Sequence, residues 1–357
     1  MHHYHKLQEL LNTHPVGAPK SEEFIEILKI LFQPGEVELA LMLDFKLKKA
    51  TEIAKEANIP PEEAVQKLEA MADRGSILAK TVKGEPAYAL LPNYPGLFEY
   101  PVMKGGDRAT QAKLAQLWQA YYMKAMAAEL SLANPPWLRV VPVEEAITEE
   151  FEILPFEAAS QMMSTAKKIA LGNCPCRTTE QKCDRPINVC LAFNGAADFM
   201  AERGIAREIS LDEAIEVLKR AEEAGLVHSG SNNQNDLLFI CNCCPCCCHM
   251  LRLITEHNNP NGLAKSSYLA KIDAPECIGC GICAEERCPV KAIEMREDIA
   301  ILNNDKCIGC GLCVSKCPTN AISLIKRGNY EYPPETVKEL SIRVVKNKKQ
   351  ALINPIG

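Results

Sequence analysis

No stretch of this 357-residue chain approaches the roughly eighteen uninterrupted apolar residues that a membrane-spanning helix needs. The opening MHHYHKLQELLNTHP has no apolar core of the kind a secretory signal requires. There is no G-x-G-x-x-G dinucleotide fingerprint and no P-loop, so hydride or phosphoryl chemistry on a nucleotide lacks its usual cradle. Positive charge is also in short supply. The net charge is −6, which gives no overall attraction to nucleic acid or anionic lipid. These absences leave a globular chain, long enough for two to four domains, that is expected in the cytoplasm.

What is abundant is cysteine, with eighteen residues. In a chain without an export signal this number argues for a reducing compartment and metal ligation rather than disulfides. Eight of the eighteen form a tandem repeat. CIGCGICAEERCP supplies Cys277, Cys280, Cys283 and Cys288, and CIGCGLCVSKCP supplies Cys307, Cys310, Cys313 and Cys317. Each run has three closely spaced cysteines and a fourth followed by proline, Pro289 or Pro318, which is a ligand pattern of [4Fe–4S] clusters. Structural zinc favours paired thiolates in each half-site and fits this spacing poorly. The glycines between the cysteines allow the backbone to approach the inorganic sulfides and aim N–H groups at an anionic cage. A thiolate-bound cubane carries one electron, so the chain is expected to move electrons. Clusters of this type oxidise readily, so an anaerobic host is expected.

Over about 271–326 these motifs resemble bacterial two-[4Fe–4S] ferredoxins. In such proteins the fourth thiolate of each cluster comes from the other run. The resemblance therefore implies one cluster on Cys277, Cys280, Cys283 and Cys317, and another on Cys307, Cys310, Cys313 and Cys288. One departure is visible: four residues (AEER) precede the last cysteine of the first run, and three (VSK) that of the second. A local bulge can absorb the difference. PVKAIEM and PTNAISL then read as matching turn-and-strand continuations.

Upstream, GNCPCRTTEQKCDRPINVC supplies Cys174, Cys176, Cys183 and Cys190, and LLFICNCCPCCCHM supplies Cys241, Cys243, Cys244, Cys246, Cys247 and Cys248. Thiolates at this density repel one another unless cations neutralise them. Adjacent cysteines in extended chain point to opposite sides, so the hexad divides between two sites, or between one site and the core. One or two further Fe–S clusters are expected here. A single cluster with a redox-active thiol pair, a non-cubane cluster, and zinc with buried apolar cysteines are alternatives. Arg177 and Arg185 can screen cluster charge, hold an anion, or lie on the surface. His249 is a possible ligand or a helix first-turn residue. The LPFE…CPCR…ICNCC-x-CCC arrangement followed by the ferredoxin repeat resembles a family of uncharacterised 4Fe–4S dicluster-domain proteins from anaerobic prokaryotes, over most of 20–325. That resemblance implies a multi-cluster redox protein and no particular reaction.

Residues 20–92 predict a winged-helix-like domain. A helix over SEEFIEILKILF is capped by Ser21, KKATEIAKEANI and PPEEAVQKLEAMADRG form a helix pair, and SILAKTVKGEPAYALL is a hairpin. The second helix of the pair carries Glu62, Glu63, Glu69 and Asp73 against Lys67 and Arg74. Over 20–92 ten basic residues face thirteen acidic ones. A duplex reader needs phosphate-neutralising cations, so protein docking or a scaffold role is expected and nucleic acid is not. Residues 93–136 read as a linker and a long helix, Asp107 to Leu130, whose aromatics suit a core better than flavin or quinone stacking. LRVVPV and EFEIL are expected strands, and PFEAASQMMSTAKKIAL an expected helix. LDEAIEVLKRAEEAGLVH is a helix with Leu211, Ile215, Leu218 and Ala221 inward. His2, His3 and His5 can bind metal, but a frayed terminus is the expected reading. The tail, 327–357, holds a basic helix that can guide an acidic redox partner or pack back on the protein.

The expected architecture is thus multi-domain α+β: a winged-helix-like domain (20–92), the linker and long helix (93–136), a cysteine-rich α/β module (137–262), a two-[4Fe–4S] ferredoxin-like module (270–326) and the basic tail. The expected function is electron relay between the ferredoxin-type clusters and the central cysteine-rich site. The partner would be a flavoprotein, a dehydrogenase or a ferredoxin-dependent enzyme. The alternatives are an iron–sulfur oxidoreductase with its active centre in 174–248, a redox-sensing transcription regulator, and a scaffold subunit of a larger complex. Anaerobically purified protein should carry about eight irons and eight acid-labile sulfides per chain if only the ferredoxin part is loaded, and about twelve or sixteen irons if the central module adds cubanes. Colourless protein holding zinc alone would refute the cluster assignment.

Overall fold

A computed structural model of the chain describes residues 2–147 and 153–353, with side chains as far as 351. Helix accounts for 44% and strand for 17%, an α+β content. The chain divides into two compact units, Met1–Leu132 with Pro175–Gln181 and Gly195–Glu208, and Ala133–Cys174 with Lys182–Asn194 and Ile209–Gly357.

The first unit opens with α1 (His2–Leu11), α2 (Glu22–Leu31) and α3 (Pro34–Ala40). The expected frayed terminus is instead helix, because Tyr4, Leu7, Gln8 and Leu11 form a buried stripe. Ser21 caps α2 by accepting from the Glu23 N–H, as its position predicts. There follow β1 (Lys48–Lys49), α4 (Ala50–Ala57), α5 (Pro61–Asp73), β2 (Ile77–Val82) and β3 (Glu85–Leu90). The strands form a sheet in the order β1-β3-β2, with β2 and β3 antiparallel. The acidic face of α5 is occupied: Arg203 bridges Glu69 and Asp73 at 2.5 and 2.7 Å, and the Tyr88 hydroxyl donates to Glu69 at 2.6 Å. Burial pushes the Glu69 carboxyl up, but these two hydrogen bonds outweigh it and hold it below its ordinary range.

Next come α6 (Glu99–Lys104), α7 (Arg108–Tyr121) and α8 (Ala127–Ser131), α7 and α8 being joined through a π-turn at Tyr122–Met126. This is the long helix the sequence predicts, and Asp107 is its N-cap. Its aromatics are core. Trp118 is fully buried, 5.2 Å from the Phe98 ring and 6.0 Å from Phe24, Tyr94 and Tyr121, and Phe24 stacks on Tyr121 at 4.7 Å.

In chain order the remainder begins with β4 (Leu138–Val140), α9 (Ala159–Ser164), β5 (Ile169–Asn173), α10 (Pro175–Glu180), β6 (Asn188–Phe193), α11 (Asn194–Glu202) and β7 (Arg207–Ile209). It continues with α12 (Leu211–Glu223), β8 (Val227–Ser231), β9 (Phe239–Cys243) and α13 (His249–Thr255). Within the second unit the sheet runs β4-β8-β9-β6-β5, each neighbouring pair antiparallel. The helix expected over 155–171 stops at Ser164. Ile169–Leu171 is strand because each of its residues is buried and paired with Leu191–Phe193 of β6. Of the expected strands, LRVVPV supplies β4, and EFEIL lies outside the described residues at 150–152. Ser210 caps α12, whose buried stripe is Ala214, Val217, Leu218 and Ala221, with Leu211 and Ile215 at its half-buried margin.

The chain ends with β10 (Tyr268–Ile272), β11 (Ile293–Arg296), β12 (Ile299–Leu302), β13 (Ile322–Lys326) and α14 (Val337–Ile353). β10 pairs with β13, and β11 with β12, antiparallel in both cases. Glu297 and Asp298, both at positive φ, make the two-residue turn between β11 and β12. The basic helix α14 packs back on its own unit, burying Leu340 and Val344 against Ala133 and Trp137. Trp118→Ala should cost about 3–5 kcal/mol through loss of apolar burial and an aromatic-lined cavity. The readout is the denaturant midpoint of the helical signal, and an unchanged midpoint would contradict this account of the aromatic core.

Candidate metal centres

The repeat at 277–317 folds into two loops that exchange their last cysteines. One partly open cleft, about 350 Å³ including the solvent at its mouth, is lined by Cys277, Cys280, Cys283 and Cys317. The other, about 340 Å³, is lined by Cys307, Cys310, Cys313 and Cys288. Sulfur therefore surrounds both spaces in the crosswise sets implied by the ferredoxin resemblance. Gly279 and Gly309 occupy the same place in the two loops, at φ +67° and +71°. A Cβ would meet the Asp298 carbonyl oxygen at 2.5 Å in one loop and the Tyr268 carbonyl oxygen at 2.2 Å in the other, so only glycine fits either position.

The unequal loop lengths have a structural solution. Cys283–Arg287 winds as a single π-turn, closed by the Cys288 N–H on the Cys283 carbonyl at 3.0 Å. The extra residue therefore widens one turn and leaves Cys288 on its cluster-facing path. Arg287, at the end of that turn, is buried and donates to Leu312 O at 2.9 Å, Glu223 O at 3.2 Å and Glu222 O at 2.9 Å. The last two carbonyls end α12, where the helix dipole favours a cation. One guanidinium thereby holds the ferredoxin loops to the central module.

The two loops differ in exposure. Cys307, Cys310 and Cys313 are buried, whereas Cys280 is exposed and Ile278 beside it is 66% exposed. The Val143 N–H donates to Cys310 O at 2.9 Å, so the second loop lies against the central module. Burial pushes the Cys310 thiol up to about 12 and raises the Cys313, Cys283 and Cys288 thiols. For Cys288, N–H donation from Ala292 (3.1 Å), Val290 and Ile293 opposes that burial. Iron held by these cysteines would supply the missing positive charge, and the N–H groups favour sulfur in its anionic form.

The central hexad divides three and three. Cys244, Cys246 and Cys247, in the turn between β9 and α13, gather with Cys183, and the four sulfurs lie within 4.8 Å of one another. Burial first, then the Cys244 sulfur, pushes the Cys246 thiol up to about 11. Cys247 is raised through contact with Cys244 and by burial. Cys241, Cys243 and Cys248 lie on the other side. Cys190 follows the Leu191–Ile240 pair in register and so comes beside Cys241 across the strands. Cys241 reaches Cys190 and Cys243, and Cys243 reaches Cys248 and the Ser229 hydroxyl, the last at 3.3 Å. These thiols form a string in which Cys243 and Cys248 are buried and Cys190 and Cys241 half-buried. Contacts with Cys190 and Cys243, then burial, raise Cys241 well above an ordinary thiol. For Cys243 the contact from Cys241 acts downward, but Cys248 and burial outweigh it.

Cys174 directly follows β5 in the second unit, and Cys176 lies in α10 of the first. Arg177 is buried in α10, and Arg185 is half-buried in a loop. His249 opens α13 and is buried, as a first-turn residue. No local pattern in the sequence marks Arg287 as a tie, or Cys190 and Cys183 as partners for different halves of the hexad.

Residues 270–324 match the family model described as the 4Fe-4S dicluster domain. No curated protein and no solved structure matches the chain. The dicluster domain implies two [4Fe–4S] clusters, and the two sulfur-lined spaces fit that donor count. No helix among the described residues is long and apolar enough to cross a membrane. Gly309→Ala should cost one of the two ferredoxin clusters, lowering iron by about four per chain and sulfide equally. Retention of full iron content would show that the clash at Tyr268 is relieved without loss of the cage.

Proposed function

We propose that this protein is a multi-cluster iron–sulfur electron carrier, in which the ferredoxin-type pair exchanges electrons with the central thiol centre on Cys190, Cys241, Cys243 and Cys248. The observation that carries the reading is the coexistence, in one compact unit, of a 4Fe-4S dicluster domain and a second sulfur-rich centre. The exposure difference supports a direction. The cluster on Cys277, Cys280, Cys283 and Cys317 is the outward terminal, and the cluster on Cys307, Cys310, Cys313 and Cys288 leads inward. A redox partner, such as a flavoprotein, a dehydrogenase or a ferredoxin-dependent enzyme, would dock at the exposed loop around Ile278. Cluster potentials would be set by thiolate ligation, N–H donation to sulfur and burial.

The N-terminal helix pair and hairpin suit a winged-helix-like docking domain. A role in duplex reading is disfavoured because Glu69 and Asp73 on α5 are already tied to Arg203 and add no positive charge. Catalysis at the central module remains the competing role, since thiol or metal chemistry there needs no nucleotide.

An anaerobic coulometric titration of the full chain tests the relay. Two cubanes accept about two electrons, and a third redox centre raises the uptake above two. Replacing Cys241 and Cys243 by serine should return it to two while the paramagnetic signals of the reduced ferredoxin pair persist. An uptake of two in the unsubstituted protein would remove the central site from the electron path.

A further inference from the structure

The foursome Cys183, Cys244, Cys246 and Cys247 differs in kind from the ferredoxin sets. Cys183 Sγ lies 3.9 Å from Cys244 Sγ and 3.9 Å from Cys247 Sγ, and Cys247 Sγ lies 3.8 Å from Cys246 Sγ. A metal ion bonded to four thiolates at about 2.3 Å in a tetrahedron sets its sulfurs about 3.8 Å apart. A cubane holds its four thiolates outside a cage of four irons and four sulfides, which sets them on the order of 6 Å apart. In the same chain, neither ferredoxin set of four gathers its sulfurs that closely; each lines an open cleft instead. The central four instead converge with all sulfurs inside 4.8 Å.

We propose that Cys183, Cys244, Cys246 and Cys247 hold a single metal ion, Zn²⁺ or one iron, in a closed tetrahedral tetrathiolate site.

Local structure favours that ligand set. Cys244, Cys246 and Cys247 share one tight turn, closed by the Cys248 N–H on the Cys244 carbonyl at 3.1 Å. Cys183 arrives from the loop before β6, next to Lys182, whose backbone N–H donates to the Cys247 sulfur. Such a donor stabilises thiolate at a metal centre. Cys244 and Cys247 are buried, and Cys183 and Cys246 half-buried. The other cysteines of the hexad lie in the string with Cys190, so each half of the hexad serves its own centre. Four thiolates saturate a tetrahedral ion and leave no open position for substrate. The role is therefore to fasten the β9–α13 turn to the loop before β6, with a one-electron function added only if the ion is iron. The inference does not use the relay: zinc here leaves the electron count unaltered, and iron adds one electron that persists when Cys241 and Cys243 are replaced, in which case the uptake returns to about three rather than two.

The test is metal and sulfide accounting on the full chain, purified without oxygen. Cubanes contribute iron and labile sulfide equally. The expected result is about one zinc per chain with iron equal to sulfide, or iron exceeding sulfide by about one, with a high-spin ferric signal on oxidation. X-ray absorption at the edge of the extra metal should show four sulfurs at about 2.3 Å. Cys183→Ser and, separately, Cys246→Ser should lose that ion and leave labile sulfide unchanged. Equal iron and sulfide with no zinc in the unsubstituted protein would overturn the proposal, as would loss of about four irons together with four sulfides from both variants.

Discussion

Sulfur repulsion governs this molecule. A buried thiol can become a thiolate only beside compensating positive charge, and eighteen cysteines are too many to absorb as small apolar core residues. The raised thiols of Cys241, Cys243, Cys246, Cys310 and Cys313 register that cost. Metal ions bound by these sulfurs would reverse it, and binding of that kind is linked to folding.

The chain meets the constraint with two different geometries. In the ferredoxin loops, glycines at positive φ let the backbone curl tightly around a space lined by sulfur. In the central module, β9 sends Cys241 and Cys243 to one face, and the following turn carries Cys244, Cys246 and Cys247 to the other side. Both arrangements are tied to rigid elements. Arg287 grips the end of α12, and Cys248 is the N-cap of α13. That rigidity matters for a carrier, since a cage that relaxes little on changing charge exchanges electrons with little reorganisation.

Much was legible in the sequence because it was local. The spacing of the repeat, the Ser21 and Ser210 caps and the helix–helix–hairpin order of the first unit depend on residues a few positions apart. The stretch Ile169–Leu171 was misread because a short apolar run suits helix or strand equally, and only the presence of β6 beside it decides. The inward stripe of α12 shifted for a related reason. Ala214 and Val217 pack inward where the sheet is, whatever the larger side chains of Leu211 and Ile215 favour.

The sequence alone determined the chemistry: three cysteines and a Cys-Pro, twice over, are a cluster-binding text whose meaning lies in covalent spacing. It also determined that adjacent cysteines of the hexad must part, because the pleat of an extended chain alternates its side chains. Only the tertiary structure decided where they went. That Cys190 lies beside Cys241 while Cys183 reaches Cys244, Cys246 and Cys247 depends on strand register and on a loop more than fifty residues from its partners, and no local pattern encodes either.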